Sequence, residues 1–185
     1  HKSPQNVLVI GAGVAGLQVC KLLLDFGIHV ECVEENSEVA GVWHKNFTGY
    51  GLQIPFELYQ FPDFPCPPAL KPAGTHATGP EVAAYIVAYA RRFDLHRHIR
   101  LCTRLVSLSR PESYALTNAP APGGAPAPWV AIVEDTQTGA RSTLRPDFVV
   151  MCTGLFSTPF IPQYKGLSTF KGTALHSKDA ADLEF

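Results

Sequence analysis

Gly11, Gly13 and Gly16 stand at the spacing G-x-G-x-x-G, and an acid, Glu34, lies eighteen residues beyond the last of them. Each part suits one task in holding a dinucleotide. Gly11 permits a tight turn, Gly13 lets the backbone approach a pyrophosphate, and Gly16 lets a helix pack closely on a strand. Ala12, Val14 and Ala15 fill the intervening positions. A helix opening here would offer free N–H groups and partial positive charge to the phosphates. A carboxylate at Glu34 accepts hydrogen bonds from ribose hydroxyls and disfavours a 2′-phosphate. FAD or NAD therefore fits better than NADP.

The flanking pattern supplies the elements that this chemistry needs. Val7–Ile10 is an unbroken aliphatic run and reads as a strand buried on both faces. Leu17, Val19, Cys20 and Leu22–Leu24 form the apolar part of a helix, with Gly27 placed to end it in the left-handed conformation. Residues 28–33 alternate apolar and polar side chains and read as a second strand. Between Asn36 and Gly79 no periodicity persists, and aromatics from Trp43 to Phe64 are interleaved with Gly and Pro; such a stretch is usually functional. A helix is expected over 81–93, a strand over 99–108, a hairpin from Trp129 to Leu144 and a last buried strand over 147–152, ending in Thr153-Gly154. Residues 119–128, Ala-Pro-Ala-Pro-Gly-Gly-Ala-Pro-Ala-Pro, mark 111–128 as a flexible insertion.

Composition narrows the function classes. The 185 residues carry 15 Lys+Arg against 16 Asp+Glu, a net charge of −1, and 46% are hydrophobic. That balance fits a globular α/β protein. It argues against a disordered chain and against a nucleic-acid binder driven by a global positive field. No apolar run approaches the ~20 residues that span a bilayer. Met151 is the one methionine, so any targeting segment upstream lies outside this sequence; the default expectation is a cytoplasmic location. Cys20, Cys32, Cys66, Cys102 and Cys152 form no C-x-x-C pair, so neither a metal site nor a redox dithiol is signalled, and reduced thiols are expected. His96 and His98 read as surface histidines, and Asp63 with Glu57 does not make an acid pair. Arg91, Arg92, Arg97, Arg100, Arg104 and Arg110 cluster within twenty residues. They form either an anion-binding patch or a solvated helix face and strand edge, the second being the expectation.

Departure from a repeating strand–helix pattern into an aromatic loop and a β-hairpin favours FAD over NAD. Taken together, Gly11–Gly16, Glu34, Gly41-Val42-Trp43, Leu52-Gln53-x-Pro55 and the segment from Tyr59 to Pro67 resemble the flavin-containing monooxygenases. So do Tyr85-x-x-x-Tyr89-Ala90-x-x-Phe93-Asp94-Leu95 and Val149–Gly154. Phe170-x-Gly172-x-x-x-His176-Ser177 resembles the linker fingerprint shared with Baeyer–Villiger monooxygenases. The plant and algal branch is the most similar.

The resemblance implies a Rossmann-type, three-layer FAD-binding domain of the two-dinucleotide flavoprotein class, truncated. It would occupy residues 1–162, with 163–185 as a linker toward an NADPH-binding domain. It implies an enzyme in which NADPH reduces FAD and oxygen from O2 is delivered to a nucleophilic N or S, or to a ketone carbon, of a small molecule. Carried over by position, Gly11, Ala12, Gly13, Val14, Ala15 and Gly16 would hold the FAD pyrophosphate and Glu34 its ribose. Val42 and Trp43 would line the cofactor, Gln53 and Ile54 would approach the flavin ring, and Thr153 and Gly154 would close the FAD side. Gln53 would be the catalytic residue. No metal is implied, and His176 is a structural linker residue. Gln53 stands where many members carry Asn, Phe56 where many carry Lys or Arg, and Ala180 where Tyr is usual. The matches cover roughly the first two-fifths of a family member, so the chain is a fragment or a shortened protein. The alternatives are a truncated, non-catalytic dinucleotide-binding protein and another FAD- or NAD-linked oxidoreductase. A disulfide reductase would need a redox C-x-x-x-x-C soon after Glu34, which the sequence lacks.

Overall fold

The apolar run ending at Ile10 forms strand β1 (Asn6–Ile10), and the glycine turn leads into helix α1 (Val14–Asp25) and strand β2 (His29–Val33). The computed structural model describes residues 6–44, 46–110, 129–155 and 158–180. The insertion expected at 111–128 lies outside the described residues. The remaining regular elements are α2 (Gly79–Arg92), β3 (Ile99–Arg100), β4 (Thr103–Ser109), β5 (Val130–Asp135), β6 (Arg141–Leu144) and β7 (Phe148–Met151). The chain divides into two units. One comprises residues up to Gly41 together with Ile86–Thr153, and the other comprises Val42–Tyr85 and 154–185; the division falls within α2.

The first unit is α/β and layered. Its parallel sheet has the order β3-β2-β1-β7, with Val9 opposite Cys32 and Val150 in the flanking strands. Parallel strands are covered on both faces, and β1 is accordingly aliphatic throughout, with Val7 to Ile10 all buried. One face carries Leu8, Ile10 and Val33. These pack against Ala131 and Val133 of a three-stranded antiparallel sheet, order β4-β5-β6, with Leu105, Leu108 and Leu144 around them. The opposite face meets α1, whose buried residues are Gly16, Leu17 and Cys20. There the Cys32 thiol is hydrogen-bonded with that of Cys20, which pushes it far above the ordinary thiol range; burial adds to the shift. Helix α1 ends as expected, with Gly27 at φ +70° donating its N–H to Leu24 O at 2.9 Å.

The structure corrects one expected strand. Residues 99–108 do not form a single extended segment. β3 joins the parallel sheet beside β2, whereas β4 joins the antiparallel one. Cys102, at φ +50°, makes the break. Its N–H donates to Asn36 O at 2.9 Å and its carbonyl accepts from Thr136 N–H at 2.7 Å, so tertiary bonds hold a conformation that a cysteine rarely adopts. Four of the six arginines are engaged with neighbouring side chains of the protein. Arg97 pairs with Asp94, Arg100 with Glu31, Arg104 with Glu134, and Arg110 lies over the Trp129 ring.

In the second unit the aperiodic stretch is ordered by aromatic packing and tertiary hydrogen bonds. Tyr85 packs edge-on against Phe56 and stacked with Phe61 and Phe64, all at centroid distances of 5.3–5.5 Å. Its hydroxyl accepts from Phe61 N–H at 2.8 Å and donates to Phe64 O at 2.6 Å. The three phenylalanines are buried, at roughly 1.5–3 kcal/mol for each ring removed from water. Thr78 and Glu81 cap α2 reciprocally. Thr78 N–H donates to the Glu81 carboxylate at 2.8 Å, and Glu81 N–H donates to Thr78 Oγ1 at 3.4 Å. Toward its end the chain forms only short helical turns, at Leu167–Thr169 and Ser177–Ala180; there Ala180 O accepts from Thr48 N–H. Among the described residues no helix is long and apolar enough to cross a membrane.

Candidate dinucleotide site

The three glycines of the turn are needed for different reasons. Gly11 sits at φ +98°, and a β-carbon there would stand 2.6 Å from Cys152 O. A β-carbon on Gly16 would stand 1.8 Å from Gly11 O. Both are therefore demanded by the fold, the first by the turn and the second by close packing of α1 on β1. Gly13 differs. Its φ of −76° suits any L residue, and a β-carbon would meet only Gly41 Cα, at 3.8 Å. Nothing among the described residues requires glycine there. The missing side chain leaves a cradle at the N-terminus of α1, the feature that close approach of a pyrophosphate demands.

The amides around that cradle are arranged for an anion. The first bond of α1 runs from Leu17 N–H to Gly13 O at 3.0 Å, so the N–H groups of Val14, Ala15 and Gly16 lie ahead of the helical ladder. No acidic residue occupies the first turn of the helix itself. On the far side, Ala40 N–H donates to Ala12 O at 3.0 Å. Ala40 holds φ +84°, an uncommon value for a residue with a β-carbon, and Gly41 follows at φ +55° beside Gly13.

Glu34 leaves β2 and turns its carboxylate back onto the glycine turn. Oε2 accepts from Ala12 N–H at 2.8 Å, while Oε1 accepts from Asn36 N–H at 2.9 Å and from Asn36 Nδ2 at 2.7 Å. Glu34 is one of only three buried polar or charged residues among those described, 5% exposed. Its main chain is clamped as well. Glu34 N–H donates to Arg100 O, and Glu34 O accepts from Thr103 N–H, at 2.9 and 2.7 Å.

Of the residues singled out by sequence, the structure gathers Gly11, Ala12, Gly13, Val14, Ala15, Gly16 and Glu34 around one turn. Thr153 reaches the same turn, its Cα lying 3.7 Å from the β-carbon position of Gly11, and Gly154 follows at φ +75°. Val42 and Trp43 belong to the short helical turn Gly41–Trp43, Val42 being exposed. Trp43 packs edge-on against Tyr59 at 5.5 Å, and its carbonyl accepts from the Tyr50 hydroxyl at 2.6 Å. Gln53 and Ile54 lie in the second unit and are exposed. They crown an arch fixed at both feet, with Leu52 N–H bonded to Ala77 O and Phe56 N–H to Thr75 O, at 2.8 and 2.9 Å. Phe56 is buried against Tyr85, which accounts for an apolar ring in that position. Sequence reasoning missed Asn36 and Ala40. A short amide two residues after an acid is the only signal that Asn36 offered, and Ala40 offered none. Among the described residues no group of His, Cys, Asp or Glu could hold a metal ion.

Comparison with known proteins gives the family and the fold. The family model described as Flavin-binding monooxygenase-like matches residues 4–184. Flavin-containing monooxygenase 1 of Sus scrofa is 27% identical over 190 residues, which cover 94% of this chain and 32% of that protein. A solved structure described as the OTEMO complex with FAD and NADP is 26% identical with a TM-score of 0.68, covering 96% of this chain and 31% of its own. The S-allyl-L-cysteine S-oxygenase of Allium sativum shares the fold, with a TM-score of 0.78 at 19% identity, over 94% of this chain and 42% of its own. The chain thus spans about a third of the length, 32%, of the curated relatives it matches.

Proposed function

The chain belongs to the flavin-binding monooxygenase-like family, and from that premise we propose that it forms the FAD-binding part of an NADPH-dependent monooxygenase. That enzyme would oxygenate a nucleophilic nitrogen or sulfur of a small molecule. The observation that carries the reading is Gly13: alone among the three glycines of the turn, it meets no close neighbour among the described residues that would demand the loss of a side chain. A pyrophosphate against its backbone supplies that reason. The residues present fit the group. The amides of Val14 and Ala15 and the positive end of α1 would bind the phosphates, and the Glu34 carboxylate would take the ribose. On the family resemblance alone, Gln53 and Ile54 would approach the flavin ring, and Val42 and Trp43 would line the cofactor.

When bound, FAD would accept hydride from NADPH and activate oxygen; the chain's part is to hold and shield it. Titration with FAD, followed by quenching of flavin fluorescence, tests the reading. The wild-type chain binds, and Gly13→Val, whose side chain enters the cradle, reduces affinity at least about tenfold, equivalent to one pyrophosphate contact set lost. Equal binding by the two proteins removes the assignment.

A further inference from the structure

We infer that Asn36 is the positioning residue of this site, setting the Glu34 carboxylate for the ribose; the inference rests on the dinucleotide reading above. An ionised carboxylate has two oxygens and about four lone-pair sites. Oε1 takes two donors, both from Asn36, the main-chain N–H at 2.9 Å and the side-chain Nδ2 at 2.7 Å. Oε2 takes one, Ala12 N–H at 2.8 Å. The carboxylate is therefore held at both ends, with acceptor capacity remaining on Oε2, the oxygen already bonded to the glycine turn. A glutamate has three rotatable bonds, and fixing it before the ligand arrives removes an ordering cost from the binding step. The Asn36 amide does this without adding charge, and it comes from a solvent-exposed residue whose main chain is fixed separately, its carbonyl accepting from Cys102 N–H at 2.9 Å. Replacing the side chain therefore takes away one of the two donors on Oε1 and loosens that end of the carboxylate, while the main-chain donors and the strand end stay in place.

The test is a two-by-two comparison of ADP with 2′,3′-dideoxy-ADP on the wild-type chain and on Asn36→Ala, by isothermal titration calorimetry. The wild type prefers ADP by roughly tenfold or more, the effect of hydrogen bonds to a charged group. In Asn36→Ala that preference falls to about threefold or less, while dideoxy-ADP binds the two proteins alike. Asn36→Asp, which sets an acceptor where the donor stood, loses the preference altogether, and Asn36→Ser, which restores a donor, recovers part of it. A purely structural role would weaken both nucleotides equally and leave the ratio unchanged. An unchanged or larger ratio in Asn36→Ala overturns the inference and leaves the dinucleotide reading intact. Failure of the wild-type chain to bind either ADP or FAD overturns both.

Discussion

The carbonyl oxygen of Gly11 lies 1.8 Å from the point where a β-carbon on Gly16 would stand. The obstacle is backbone, so it cannot swing aside as a long side chain could. Gly16→Ala should therefore cost about 3 kcal/mol or more of folding stability, the upper range of overpacking. Gly13→Ala should fall within about 1 kcal/mol of wild type, because its β-carbon makes only an ordinary van der Waals contact with Gly41 Cα. Urea denaturation of both variants, each without flavin, measures the contrast. Equal losses would show that the two glycines are not divided between fold and ligand.

Tyr85→Phe removes one oxygen and with it two buried hydrogen bonds, from Phe61 N–H and to Phe64 O. The expected loss is about 1–3 kcal/mol, two hydrogen bonds at roughly 0.5–1.5 kcal/mol each. The change should also loosen the segment from Phe61 to Phe64, seen as faster amide exchange there than at Val7–Ile10.

Glu134 joins the two outer strands of the antiparallel sheet through Arg141 Nε at 2.7 Å and Arg104 at 2.6 Å. The hydrogen bonds from Arg141 and Arg104 hold its carboxyl below the ordinary value of 4.5. A depressed folded value means that the stabilisation is complete above the unfolded value and lost as pH falls through the folded one. Stability should therefore decline below about pH 4.5, and Glu134→Gln should flatten part of that decline while lowering the plateau at neutral pH. Melting temperatures across pH 3–7, on the order of ten points, give the comparison. Parallel curves would exclude Glu134 from the acid limb.

The Cys32 thiol is buried and hydrogen-bonded with Cys20, and its proton is held far more tightly than in a free thiol. Thiolate is the reactive form, so Cys32 should resist a thiol reagent at pH 8 until the protein unfolds, and its labelling rate should track global opening. Labelling in the native state as fast as that of the half-exposed Cys102 would contradict this.

Expressed alone with FAD, NADPH and a thioether, these 185 residues should form no sulfoxide coupled to NADPH consumption. They hold one glycine fingerprint, and in the proposed site its acid, Glu34, would repel the 2′-phosphate of NADPH. Stoichiometric sulfoxide at a steady rate would mean that a hydride-donor site exists elsewhere in this chain.

What could be read from sequence was what depends on neighbours along the chain. Val7–Ile10, the glycine turn, α1 and β2 announce themselves because their apolar spacing and their glycines act locally. The pair Thr78 and Glu81, three residues apart, is just as local, yet the expected helix over 81–93 was read without it and began two residues late. The division of residues 99–108 between two sheets was not legible, because the left-handed turn at Cys102 is imposed by Asn36 and Thr136, distant in sequence. The arginines looked ambiguous for a like reason: Arg100 and Arg104 find their acids at Glu31 and Glu134 only once the strands are paired. Asn36 was invisible because its importance depends on which way the Glu34 carboxylate turns.

Cys102 has a consequence for how the molecule breathes. It hands one continuous piece of chain from the parallel sheet to the antiparallel one, and on either side of it Arg100 O and Thr103 N–H grip Glu34, while its own N–H grips Asn36. Any fluctuation that peels β4 from β5 therefore pulls on the strand end that carries the carboxylate. Deuterium should enter the amides of Glu34, Asn36 and Thr103 together, as one opening unit. The hold on the Glu34 carboxylate and the integrity of the outer sheet would then fail in a single event, so a ligand bound at Glu34 would damp the motion of the outer sheet as well.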